Sequence, residues 1–485
     1  LGSGVGAYLL AGRIADNSVK AMNVASYGIS YPSIGPGALL DVRPSGVVDQ
    51  QTLLEPGFPY GEDLLQFIWE LRSFDQRDLR TTDGRVVEVL RAGTIQRNSG
   101  PDLSGALIRI DGQLWAGNVE VHLRSSEWNA HGHQFDHAYD NVILHVVYQH
   151  DTEVSTTKGT VPPTLELMPR VRLASVAMHR DLMLSRTRIP CSGSIHDVDQ
   201  GLIDRWLEQV LHDRLERKGA EVETLYRRLG NDPRETFYHL LLRGFGFNVN
   251  AEAFSMLAIA LPLRTLLKYR DDPFRTEALL FGQAGMLRTD LTEEHPRRLQ
   301  DEHRLLAQLH GLRPAPLAAW KFGRMRPANF PTIRIAQLAQ LISRSDGAFS
   351  SLLEQDDPTA LRSALDVEAA GYWREHYRFD HPSAPSAKRL GRPAIDGIII
   401  NAVVPYLYSL HRLRADPNSA ERALRLLCAL PTERNKVTAE WEAVGVRVGS
   451  AARSQALLEL TKAFCGQRRC LSCAIGADLL QRPHP

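Results

Sequence analysis

The sequence predicts an α/β core built on a mixed sheet, followed by a large all-α region. Three observations carry that expectation. Residues 61–148 run through helical and strand patterns in the order helix, three strands, helix, strand. From about Asp199 onward the apolar stripes have helical spacing almost everywhere. At 485 residues the chain is too long for one compact core, so two or three domains are expected.

Gly61–Ser73 reads GEDLLQFIWELRS, with apolar residues at helical spacing and acids in the first turn, which predicts a helix. Asp83-Gly84 marks a turn before a strand over Arg85–Leu90. A second strand, Ala106–Ile110, ends at Asp111-Gly112, a dipeptide favoured in two-residue hairpins, and its partner runs over Gln113–Leu123. A helical or irregular stretch, Asn129–Tyr139, precedes the apolar strand Asn141–Tyr148. Helical stripes then cover Leu202–Lys218, Glu221–Leu229, Pro233–Arg243, Ile333–Ser343, Asn401–Arg414, Ser419–Leu430 and Ser450–Phe464. No repeat of fixed period appears. The expected organisation is a poorly ordered extension over residues 1–58, an α/β module over 59–190, and a helical region over 191–485 with a cysteine-rich tail.

A net charge of +1 gives no global pull toward nucleic acid or membrane, so any such attraction must come from local patches. No apolar run approaches the roughly 20 residues that cross a bilayer. The run Val5–Ala11 lacks the basic start of a signal peptide, and a cytoplasmic location is the default expectation. Five cysteines in so long a chain argue against a disulfide framework.

Chemistry concentrates between Gly100 and Asp151, which hold Asp102, Glu120, His122, His131, His133, Asp136, His137 and His145. Glu120 and His122 lie two apart on a strand and share a face, with Val121 turned into the core. Asp102 converges on them across the hairpin if the strands pair as the Asp-Gly turn implies. Two such carboxylates suit Mg²⁺ or Mn²⁺, with a neighbouring imidazole to orient or deprotonate a water. Asp102, Glu120 and His122 are therefore the candidate catalytic set. His131, His133, Asp136 and Tyr139 are candidate supporting residues. A zinc site of His122, His131 and His133 is the sharp alternative. Within its apolar strand, His145 reads as a hydrogen-bonded core residue.

The order of elements, with Pro101-Asp102 and Glu120-x-His122, resembles the PD-(D/E)xK nuclease superfamily. That resemblance implies a restriction-endonuclease-like core with Asp102 and Glu120 as metal ligands and His122 at the position of the usual Lys. The longer text, from GPDLSGALIRIDGQLWAGNVEVHLRSSEW through WKFGRMRPANFPTIRIAQLAQLI to the cysteine-rich tail, resembles a bacterial family catalogued as domain of unknown function 2851 (DUF2851). The match runs from about Gly61 to the C-terminus and implies no activity.

The tail carries Cys465, Cys470 and Cys473 in C-x₄-C-x₂-C spacing, which favours zinc or an iron–sulfur cluster in a reducing cell. Cys191 is the candidate fourth ligand. Some PD-(D/E)xK nucleases have a similar arrangement of one early and three late cysteines. Cys428 reads as a buried small hydrophobe. Lys321, Arg324, Arg326 and Arg334, set among aromatic residues, are candidate contacts for nucleic acid. The leading functional expectation is a metal-dependent nuclease-like protein acting on DNA or RNA phosphodiesters. The alternatives are a non-catalytic nucleic-acid-binding protein with a degenerate nuclease fold, and a zinc-dependent hydrolase using the histidines.

Overall fold

Helix α1 (Glu62–Glu70) is amphipathic and turns Leu64, Leu65, Ile68 and Trp69 inward. It begins the part of the chain that the computed structural model describes, residues 60–96, 99–344, 355 and 357–482. The extension expected over residues 1–58 lies outside the described residues. After α1 come β1 (Val87–Arg91), β2 (Thr94–Ile95), β3 (Leu103–Ile110) and β4 (Gln113–Arg124). Asp111 and Gly112 take φ of +46° and +82°, the left-handed pair that a tight hairpin demands, and join β3 to β4. β1, β2 and β4 all pair antiparallel with β3.

The sheet then changes character. β5 (Val142–Gln149) pairs parallel with β4, and β6 (Thr164–Glu166) parallel with β5, giving the order β1-β3-β4-β5-β6. A parallel pair needs a crossover, and residues 125–141 supply it through α2 (Glu127–Ala130) and two short 3₁₀ turns.

The pairing of β3 with β4 is not regular throughout. Ile110 faces Gln113 and Ala106 faces Gly117, whereas Leu103 faces Val119. Three residues of β3 are thus spent against two of β4, a bulge centred on Gly105 at φ +68°.

Beyond β6 lies α3 (Leu173–Leu184), and from there the chain is mainly helical. The two stripes expected over Leu202–Lys218 and Glu221–Leu229 are one 29-residue helix, α4 (Gln200–Arg228), whose first turn is capped by the Asp199 carboxylate. Gly219 does not end the helix; the Tyr408 ring packs against it. A 22-residue helix over Arg392–Leu413 contains a π-helical segment, Ile399–Val403. With a mean hydropathy of 1.3 it passes the length and composition test for a membrane span, which corrects the expectation from the sequence. Its apolar window is 78% buried among α4 and the helices Pro233–Phe245 and Pro417–Ala429. One continuous core runs from Leu64 through Ile189 and Cys191 to Leu480, so sheet and helices belong to one compact unit.

Candidate metal centre

Strand alternation and the crossover together build the site. Val119 and Val121 point into the main core, while Glu120 and His122 point to the opposite face. The parallel register sets Glu120 level with His145 of β5, so those three side chains share that face. The crossover returns across this same face and closes it with Trp128 and Tyr139, which form a small apolar cluster with Val142 of β5 and Val154 beyond it. Glu120, His122 and His145 are 4%, 1% and 0% exposed.

Asp102 meets Glu120 because of the bulge. In the register set by the Asp-Gly turn, Asp102 would stand opposite Val121. The extra residue in β3 moves it by one position, toward Glu120. The backbone N–H of Asp102 donates to Glu120 Oε2 at 2.9 Å, and that of Val121 donates to Asp102 Oδ2 at 3.0 Å.

The imidazoles gather at the free oxygen of Glu120. Gly132, at φ +80°, turns the chain between His131 and His133 so that both rings reach the site. Glu120 Oε1 lies 3.6 Å from His122 Nε2 and 3.3 Å from His133 Nε2. His122 Nε2 lies 3.2 Å from His131 Nδ1, and His122 Nδ1 lies 2.9 Å from His145 Nε2. One ring nitrogen from each of His122, His131 and His133 falls within 4.8 Å of the other two. His133 is 8% exposed, and its Nε2 has no hydrogen-bond partner among the described residues. Tyr139 stacks on His133 with ring centroids 3.8 Å apart, and Trp128 meets the His122, His133 and His145 rings from below. His131 is exposed and marks the side open to solvent.

Burial and like charge set the electrostatics. Burial, then the Glu120 carboxylate, pushes Asp102 up to about 7. Burial, then Glu127, Asp102 and Glu120, raises Glu62 to about 7 as well. Burial holds His122 down at about 2 and His145 at about 3, the other imidazoles adding to it. Burial and the carboxylates push Tyr139 up to about 12. His122 is therefore neutral across the working pH range. It cannot supply the positive charge of a lysine at this position, but a neutral imidazole is the form that binds metal.

The three imidazoles form a donor set that fits a divalent transition metal, and Glu120 Oε1 lies within 3.6 Å of two of them. The expected pair of equivalent carboxylate ligands is not what assembles. Glu120 directs one oxygen at the imidazoles, while Asp102 is held beside it by the Val121 N–H and the Gln66 side chain. Asp136 stays outside, exposed, capping the turn at Ala138 N. His137 is exposed and pairs with Asp140 at 3.0 Å. Glu62 and Gln66 were not foreseen. They lie four apart in α1, which places polar groups on one side of a helix otherwise read for its apolar stripe.

The four cysteines of the second candidate site are brought together, although Cys191 is remote in sequence. Cys191, Cys465, Cys470 and Cys473 are all buried and none is disulfide-bonded. Cys191 feels the charge of Cys473 and Cys470, and Cys465 that of the other three. Burial pushes the Cys191 and Cys470 thiols up to about 12. Cys428 is exposed, against expectation: Leu426 and Leu427 of its helix turn inward and leave it on the outer face.

Of the basic residues, Lys321, Arg324 and Arg326 are exposed. Arg334 is only 6% exposed. It donates to Gln337 Oε1 and Asn329 Oδ1, stacks its guanidinium 4.9 Å from the Phe247 ring centroid, and is held down at about 10 by burial. Its charge is used inside the helical region. A cleft of about 1010 Å³ in that region is lined by Arg214, Lys218, Arg243, Lys321, Arg392 and Arg434. Three of these cations are paired, with Glu459, Glu221 and Glu252.

No curated protein and no solved structure matches this chain. Residues 62–436, more than half of the sequence, match the family described as "Protein of unknown function (DUF2851)", and the chain belongs to that family.

Proposed function

We propose that this chain is a metal-dependent phosphodiesterase with a restriction-endonuclease-like core that acts on DNA or RNA. The observation that carries the reading is the gathering of Glu120 Oε1 with the His122, His131 and His133 nitrogens beside Asp102. The order α1, antiparallel β1–β3–β4, crossover and parallel β5 supports it, since that is the element order of the nuclease resemblance. Imidazole donors favour Mn²⁺ or Zn²⁺ over Mg²⁺, which prefers oxygen ligands and keeps its waters.

A divalent ion held by His122, His131 and His133 beside Glu120 would supply a Lewis acid for a phosphoryl oxygen and would acidify a water. The chain's own residues do the rest. For His122 Nε2 to face the ion, its proton must sit on Nδ1 and be donated to His145 Nε2, which fixes the ring. Asp102, held by Val121 and Gln66, stands beside the ligands with a carboxyl able to take or return a proton. Trp128 and Tyr139 keep water from the back of the imidazoles. Lys321, Arg324 and Arg326 are the exposed cations for a phosphate backbone, and the cleft that Lys321 lines is the groove for it.

A second reading, a zinc-dependent hydrolase of a small substrate, is favoured by the imidazole triad, a ligand set suited to zinc. Labelled single- and double-stranded DNA and RNA, incubated with the full chain and Mg²⁺, Mn²⁺ or Zn²⁺, separate the readings. Cleavage with Mn²⁺ that is lost in Glu120→Gln supports the phosphodiesterase. Binding without cleavage points to a non-catalytic nucleic-acid-binding protein. Neither binding nor cleavage, with one zinc per chain lost in His133→Ala, favours the small-substrate hydrolase.

A further inference from the structure

The second cluster of metal-binding side chains is independent of the imidazole site. We propose that Cys191, Cys465, Cys470 and Cys473 hold an iron–sulfur cluster that fastens the end of the chain to the segment joining α3 to α4. Four thiols that are merely buried need little from their surroundings, because a neutral thiol behaves as a small apolar group. Here four buried thiols, none of them in a disulfide, come together from segments far apart in sequence, and Cys473 stands at the N-terminus of the helix Ala474–Gln481, whose dipole favours a thiolate.

The surrounding chain is shaped to the same end. Cys465 opens a 3₁₀ turn, Arg468 takes φ +54°, and a tight turn then closes from Cys470 O to Cys473 N at 3.2 Å. Position 476 is glycine where a Cβ would lie 2.2 Å from the Cys470 carbonyl oxygen, so the helix Ala474–Gln481 presses directly on the Cys470 backbone. Arg468 donates to the carbonyls of Ser185 and Thr187, just before Cys191, and to that of Cys465. Its positive charge faces Cys465 and Cys470, where it offsets the negative charge of a thiolate-bound centre.

The spacing of the sulfurs selects the metal. One zinc draws four sulfurs in to about 2.3 Å from itself, and so to within about 4 Å of one another. Among the described residues the imidazole triad is the group whose donors meet within 4.8 Å, and the four sulfurs do not form a second one. Sulfurs that each bind a different iron of a cluster stand farther apart, and C-x₄-C-x₂-C is a spacing that clusters use.

The test is metal analysis of the full chain purified without oxygen. Iron and inorganic sulfide in equal amounts, with broad visible absorbance that bleaches on reduction, is the expected result. Cys191→Ala should lose both components, whereas Cys428→Ala, at an exposed thiol outside the site, should keep them. One zinc per chain in place of iron overturns the cluster. A wild-type chain without bound metal overturns the site, whatever the variants do.

Discussion

Replacing Asp102 by Asn should make the metal-free protein more stable above neutral pH while weakening its response to Mn²⁺. Asp102 has a folded pKa of about 7, raised by burial and by the Glu120 carboxylate, against about 3.9 when unfolded. A raised carboxyl stabilises the fold below the unfolded value. That contribution is lost as pH rises through the window from about 4 to about 7. Three pH units at about 1.4 kcal/mol each set a ceiling of about 4 kcal/mol on the penalty carried by ionised Asp102 at pH 8. Partial exposure of the group brings the expected gain to about 2 kcal/mol. Asn keeps an acceptor for the Val121 N–H, so the substitution removes charge and little else.

Calorimetric unfolding in chelator at pH 8 should therefore show a midpoint roughly 2 °C higher in Asp102→Asn, given the unfolding entropy of so long a chain. At pH 4 the two proteins should coincide. With Mn²⁺ the difference should narrow, because a cation beside the ionised Asp102 relieves its repulsion with Glu120 and so binds the wild type more tightly. If the chelated variant gains nothing at pH 8, the carboxylates do not repel each other. If Mn²⁺ raises both midpoints equally, the cation does not lie beside Asp102.

Other substitutions probe the ligands and their surroundings. His133→Ala should weaken Mn²⁺ or Zn²⁺ binding more than about tenfold by calorimetric titration, and His137→Ala should not. His145→Phe, which touches no ligand position except through His122 Nδ1, should cost about 10–100-fold in the same titration. His122 and His145 must stay neutral in the fold, so chelated protein should lose stability as pH falls from about 6.5 toward 3, each ring contributing up to about 1.4 kcal/mol per pH unit in urea unfolding. Arg324→Ala with Arg326→Ala should weaken binding to single-stranded nucleic acid and lower its salt dependence by about two ions. Arg334→Ala should instead lower thermal stability and leave that salt dependence unchanged, because its guanidinium is engaged by Gln337, Asn329 and Phe247.

Most elements of the sheet were legible because periodicity and turn chemistry are local. The alternation at Val119–His122 and the Asp111-Gly112 turn fix β4 and its faces without knowledge of the rest. β6 was missed: three residues carry no period. Helices such as Glu294–His310 were missed because most of that surface is charged and only a narrow stripe is buried. The imidazole cluster was legible in composition but not in hierarchy. His145 reads as core from its apolar neighbours, and it is core. The parallel register that makes it the partner of His122 belongs to a long-range pairing. His133 reads as one member of a polar loop. What buries it is that the loop is a crossover, forced back over the face bearing Glu120.

The meeting of Asp102 with Glu120 shows most sharply where reading from sequence runs out. Hairpin pairing counted back from Ile110 and Gln113 gives Asp102 the parity of Val121, and that parity points into the apolar core. An ionised carboxylate there would be costly without a partner. The extra residue in β3 reverses the parity at the position where β4 passes from its antiparallel to its parallel partner, so the carboxylate leaves the core and joins the site. Gly105 is the conformational requirement for that reversal, since its φ of +68° strains any residue bearing a Cβ. The space around it is open, so Gly105→Ala meets no clash, and its effect should fall on the bulge. The cost of the left-handed backbone, about 1 kcal/mol, should be accompanied by weaker metal binding if Asp102 drifts from Glu120. A strand register, rather than a side chain, thus decides whether this chain has a second carboxylate at its metal centre.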